Sequence, residues 1–149
     1  MMELWKSTVL EGNKAFAEGR DADAMYHYKA ACQRSERLLP DWFDTEAATV
    51  AFIVSYQNLA ELYFRQEKNQ QGLDAYRYLA QQLKKIAAIK NINSTRQAIT
   101  NCACRRVATE LAYTVKKLNI ESPEASALVY EMSKHNFTTV SQHNKDYLQ

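Results

Sequence analysis

The sequence predicts an all-α protein of consecutive antiparallel helical hairpins, about six helices with a C-terminal tail or capping helix. Three observations carry that prediction. The 149-residue chain holds only three glycines and two prolines and is rich in Ala, Leu, Gln, Glu and Lys, which are strong helix formers. Start and stop signals for helices recur along its length. Small and aromatic residues also repeat at fixed spacing in two parts of the chain, the pattern expected of stacked hairpins.

The elements follow in order. The first helix runs from about Glu3 to Glu18 and stops at Gly19, which can take the left-handed conformation that closes a helix. The second starts at Asp21, expected as its cap, and runs to Leu39, before Pro40. After "PDWFDT" the third begins near Asp44 or Thr45 and continues to about Glu67. The fourth covers roughly Gln70 to Ile89. Ser94-Thr95-Arg96-Gln97 matches an S-x-x-Q capping box and opens the fifth, which reaches Lys117. Ser122-Pro123-Glu124, a capping serine, a first-turn proline and an early acid, opens the sixth, which fades near His135. The chain thus reads as one domain: hairpin 1 over residues 1–39, hairpin 2 over 44–89, a degenerate third hairpin over 94–135 and a tail over 136–149.

Composition bounds the rest. A chain of this size buries roughly 70% of its unfolded surface, enough for a core without staples. The opening lacks the apolar stretch of a secretion signal, and the most apolar run, residues 47–64, is interrupted by Gln57, Asn58 and Glu61 short of the ~20 residues that span a bilayer. Cys32, Cys102 and Cys104 form no even framework. A cytoplasmic protein without membrane contact is expected. The net charge of +2 conceals segregation: residues 1–46 carry nine acids and six bases, residues 77–117 nine bases against Glu110 alone.

Residues 12–31 and 60–79 align without a gap, pairing Gly12 with Ala60, Phe16 with Phe64, Ala24 with Gly72, Tyr28 with Tyr76 and Ala31 with Leu79. Where two helices fold back on each other, small residues allow close approach, so Gly12 is expected against Ala24 and Ala60 against Gly72. In the second copy, Tyr56-x2-Leu59-Ala60-x2-Tyr63 followed by Gly72-x3-Tyr76 resembles the tetratricopeptide repeat. The first copy keeps Gly12, Ala24, Tyr28 and Ala31 but has Thr8 and Glu11 at the leading positions. The offset between copies is 48 residues where the family period is 34, which implies longer helices and an inserted link. The resemblance covers residues 5–83; in the third hairpin it survives only as Ala108, Leu111 and Ala112.

That resemblance implies a right-handed stack of hairpins whose first helices line a concave binding surface. Carried over, the groove positions are Lys6, Val9, Asn13 and Phe16 in the first repeat, Val54, Gln57, Asn58, Glu61 and Arg65 in the second, and Cys102, Arg105, Arg106 and Thr109 in the third. Asn13, Asn58 and Arg106 coincide with three of five positions that clamp a peptide carboxylate in chaperone-binding members. Val9 and Cys102 occupy the other two, which are normally lysines. The candidate partner-binding residues are therefore Asn13, Gln57, Asn58, Glu61, Arg65, Arg105 and Arg106.

Little points to catalysis. Phosphate-binding glycine loops and hydrolase or zinc-protease motifs are absent, and Cys102-x-Cys104 on a helix sets the thiols about 200° apart, unsuited to a shared metal. His27, His135 and His143 are expected to be surface or interface histidines rather than catalytic ones. A non-catalytic protein or peptide-binding module, an adaptor or chaperone-like protein without metal or cofactor, is the expected function. Nucleic-acid binding through residues 77–117 and a structural homo-oligomer subunit are the alternatives. A pI near 8.4, with only Tyr78 and Tyr113 among those bases, falls short of the nucleic-acid footprint. Trp42 and Phe43 are expected to cover the gap left by the lengthened hairpin, or to anchor a partner or second copy.

Overall fold

A computed structural model describes residues 1–89 and 92–133, and all regular structure among them is α-helical. The elements are α1 (Met2–Ala17), α2 (Asp21–Asp41), α3 (Thr45–Arg65), α4 (Asn69–Ala87) and α5 (Ser94–Lys117). A further helix, α6, occupies residues 123–133. The expected tail 136–149, with His143, and also His135 lie outside the described residues.

Three helices stop in the same way. After α1, Gly19 takes φ +74°, its N–H donates to the Phe16 carbonyl at 3.2 Å, and Arg20 N–H donates to the Ala15 carbonyl at 2.9 Å. This paired closure repeats after α3, where Glu67 has φ 60°, and after α5, where Asn119 has φ 53°. Glycine fits that backbone freely and asparagine tolerates it, whereas Glu67 holds it at a steric cost. Sequence reasoning found Gly19 and missed Glu67 because nothing in its residue type announces a left-handed turn.

Two boundaries shift for local reasons. Helix α2 runs through Pro40 to Asp41 instead of stopping at Leu39, with Trp42 N–H donating to the Leu38 carbonyl at 2.9 Å. Proline removes one hydrogen bond but its φ is helical, so the last turn closes around it. The start of α5 is capped one residue earlier than expected: the Asn93 side chain, not Ser94, accepts from Arg96 N–H at 2.8 Å. Asp44 and Ser122 cap where the sequence puts them, accepting from Ala47 N–H at 3.0 Å and from Ala125 N–H at 3.2 Å, whereas Asp21, expected as a cap, is the first residue of α2, and Arg20 holds the cap position without a side-chain hydrogen bond.

The chain divides into two compact units, Met1–Leu79 and a second beginning at Ala80. In the first, α2 packs against both α1 and α3. One end of this core joins Met2, Trp5 and Val9 of α1 to Ala31 and Leu38 of α2 and Ala48 and Ala51 of α3, with Trp42 packed against them. The Trp5 indole N–H donates to Ser55 Oγ at 2.7 Å, and that hydroxyl donates to the Ala51 carbonyl at 2.7 Å, so the buried polar groups of α1 and α3 satisfy each other. The other end gathers Ala15, Ala24, Tyr28, Cys32, Leu59 and Leu62. In the second unit Leu83, Cys104, Val107, Leu111 and Met132 are buried, and Lys84 pairs with Glu131.

The glycines within helices turn out to be seats for aromatic rings. A Cβ at Gly12 would lie 2.6 Å from Cδ1 and Cε1 of Tyr28, and one at Gly72 would lie 2.5 Å from Cε1 of Phe64. At both positions the nearest group is therefore an aromatic ring rather than the small residue expected there. A flat ring pressed edge or face onto a helix needs the space of a missing methyl as much as a second backbone does. The two hairpins use the device in opposite senses: in the first, a ring from the second helix sits on a glycine of the first, and in the second the roles exchange.

Candidate protein-interaction site

Tyr28 organises three of the candidate residues. Its ring is held between Gly12 and Phe16, the latter at a centroid distance of 6.3 Å, and the residue is 3% exposed. The hydroxyl reaches the surface, where it donates to Asn13 Oδ1 at 2.8 Å. Burial raises the Tyr28 hydroxyl to about 12, with the Glu61 carboxylate pushing the same way and the Arg65 guanidinium opposing. Asn13, Glu61 and Arg65 are thus brought together around one phenol, across α1, α2 and α3. With Oδ1 accepting from Tyr28, Asn13 offers a ligand its NH2 group as a donor.

Arg65 is committed to the scaffold. Nη1 donates to the Phe16 carbonyl at 2.8 Å, Nη2 pairs with Asp21, and the guanidinium lies 3.5 Å from the centroid of the Phe16 ring. One side chain therefore fastens the end of α3 to the turn between α1 and α2, using the planar fork and stacking that distinguish arginine from lysine. Gln57 and Asn58 are half-buried on α3, one turn before the exposed Glu61. Arg105 and Arg106 lie in the second unit, both exposed on α5, with Arg106 Nε donating to Glu110 at 2.9 Å. The seven candidates divide between the units, five in the first and two in the second.

A second polar cluster escaped sequence reasoning. Glu36 of α2 accepts hydrogen bonds from the hydroxyls of Tyr56 on α3 and, at 2.7 Å, Tyr78 on α4. The two tyrosine rings lie 5.1 Å apart, and Phe52 meets Tyr56 edge-on at 5.1 Å. Burial and the bond to Glu36 raise the Tyr56 hydroxyl far above its ordinary value, and for Tyr78 the bond to Glu36 leads. Ionising either phenol would set a second negative charge against the carboxylate. Beside them the buried Cys32 thiol is pushed up to about 12 by burial and by Glu36. The signal was available: Tyr28, Cys32 and Glu36 follow at intervals of four, so Glu36 is an acid on a core stripe. The partners on α3 and α4 could not be assigned without the fold.

Among the described residues no three His, Cys, Asp or Glu side chains converge as a metal site would require, and no helix is long and apolar enough to cross a membrane. Cys102 is exposed and Cys104 buried, as their opposed positions on α5 dictate. Several bases of residues 77–117 are paired with acids nearby, Arg77 with Asp74 and Lys84 with Glu131 as well as Arg106 with Glu110.

Helices and site together define an all-helical protein whose conspicuous polar side chains fasten helices to one another and surface beside α1 and α3. A family model described as "Protein of unknown function (DUF2753)" matches residues 3–145, and the chain belongs to that family. Searches of the curated proteins and of the solved structures returned no match.

Proposed function

We propose that this protein is a non-catalytic interaction module, an adaptor or chaperone-like protein, that binds a protein or peptide on the surface of α1 and α3 in the manner of the tetratricopeptide repeats it resembles. The observation that carries the reading is the Tyr28–Asn13 hydrogen bond. A buried phenol fixes an exposed carboxamide and leaves its NH2 group as the donor. That arrangement is preorganised to meet a carbonyl or carboxylate of an extended chain. Glu61 beside it supplies an acceptor of the opposite sense, and Asn58 a second amide. Further support for the resemblance comes from the aromatic ring seated on a glycine in each of the two hairpins.

The test is quantitative co-purification of partners by wild type and by Asn13→Ala combined with Asn58→Ala, with circular dichroism melting as the control for folding. Selective loss of the same partner bands from a variant that melts like the wild type is expected. Unchanged recovery would refute the groove. Both substitutions fall in the first unit, so the experiment asks nothing of Arg105 or Arg106.

A further inference from the structure

Two exposed patches, one on each unit, are opposite in sign and alike in presenting an exposed aromatic ring. The first is the link Asp41-Trp42-Phe43-Asp44-Thr45-Glu46. Trp42 turns into the core cluster of its unit, whereas Phe43, its ring 5.0 Å from that of Trp42, is 87% exposed. The Asp44 cap on α3 fixes the turn that presents it. Three acids surround Phe43, and no base occurs between Arg37 and Arg65.

The second patch is the outer face of α5. At 100° per residue, Arg105, Thr109, Tyr113, Lys116 and Lys117 fall within about 120° of one another, opposite the buried Cys104, Val107 and Leu111. Tyr113 is 66% exposed, and the Lys117 ammonium lies 5.9 Å from its ring centroid. Here an aromatic ring is bracketed by cations, as Phe43 is bracketed by carboxylates.

We infer that the Asp41–Glu46 link of one copy docks on the Tyr113–Lys117 face of α5 in a second copy. Phe43 packs against Tyr113, and Asp41 and Asp44 face Lys116 and Lys117. Charge complementarity selects a second copy as the occupant: each patch carries what the other lacks, and the two are present at equal concentration by construction of the chain. Exposed aromatics ringed by like charges are buried at the least electrostatic cost against a surface of opposite sign. The two patches differ, so the contact is heterologous and leaves one of each patch available at the ends of a dimer.

Sedimentation equilibrium on the full chain tests this. At low salt the wild type should exceed its 17.2 kDa monomer mass as concentration rises, and return to it in about 0.5 M salt, where charges act over only roughly 4 Å. The link variant Asp41→Lys with Phe43→Ala, and the α5 variant Tyr113→Ala with Lys116→Glu, should each stay monomeric while retaining wild-type circular dichroism. Mixed one to one, they should form a species of twice the monomer mass, because the α5 face of the first is intact and so is the link of the second. A wild type that stays monomeric at low salt overturns the proposal, as does a mixture that remains monomeric. Retention of a single-stranded RNA oligonucleotide by a monomeric wild type would overturn it in favour of a polyanion. None of these variants touches Asn13 or Asn58, so the outcome is independent of the groove experiment.

Discussion

A single methyl group added to Gly12 separates two explanations of that glycine. In an exposed helix Gly→Ala stabilises by about 1 kcal/mol through backbone entropy and propensity. Here the new Cβ would lie 2.6 Å from two ring atoms of Tyr28 and 3.3 Å from His27 Cβ, whereas carbon atoms rest at about 3.5–4.0 Å. The ring must retreat by about 1 Å. It is buried on its other faces and tethered by the 2.8 Å bond to Asn13, so the retreat strains packing and stretches that bond. Overpacking typically costs about 1–3 kcal/mol and a strained hydrogen bond up to about 1 more. Set against the propensity gain, a net loss of about 1–2 kcal/mol is expected. Urea unfolding followed by tryptophan fluorescence reads this directly, since Trp5 and Trp42 both belong to the core cluster at the other end of the same unit. The midpoint should fall by about 0.5–1 M, and Gly12→Ala in a Tyr28→Leu background should recover much of the loss. A Gly12→Ala midpoint at or above that of the wild type would show that the ring yields freely, and the seat would then be incidental.

Ser55→Ala leaves the buried Trp5 indole N–H without its acceptor, and a loss of about 1–3 kcal/mol in the same urea assay is expected; a cost under a few tenths would mean the indole finds another partner. Glu67→Gly should raise the melting temperature, since φ 60° costs a side-chain-bearing residue about 1 kcal/mol that glycine avoids; a lower melting temperature would contradict the strain. Alkaline pH should destabilise the fold. Tyr28 and Cys32 stand at about 12 in the folded chain against ordinary values of 10.0 and 9.0. Groups with raised values contribute stability that is complete below the unfolded value and disappears as pH climbs through the folded one, so stability measured by urea should decline from pH ~9 towards 12; a flat profile over that window would refute it. In the same range iodoacetamide should modify the exposed Cys102 first, while Cys32 and Cys104, the latter pushed up to about 11 by burial, react only on unfolding. Mass spectrometry of the alkylated peptides would expose any other order.

Local structure was largely written in residue types. Gly19, Asp44 and Ser122 terminate or start helices because their own backbones and short side chains satisfy the orphaned groups at helix ends. Each acts within a few residues, so no knowledge of the fold is needed to read it. Asn93 against Ser94 marks the limit of that reasoning, since two adjacent cap formers compete and the winner depends on where the chain enters the helix. Of the candidate site, Asn13 and Glu61 were found by their places in a repeat, and their meeting at the Tyr28 hydroxyl required the packing of α1 and α3 about α2.

The sequence by itself determined the all-helical class, the order of the helices and the places where the chain turns, because these follow from propensity, capping and periodicity over short distances. Only the tertiary structure decided what occupies the space at Gly12 and Gly72, which tyrosines share Glu36, and that Arg65 fastens helices. Those choices depend on side chains far apart in the chain, 20 residues for Glu36 and Tyr56 and 44 for Arg65 and Asp21. Which distant groups meet is fixed when the buried faces pack, since a buried ring or carboxylate must take the partner that close packing puts in reach.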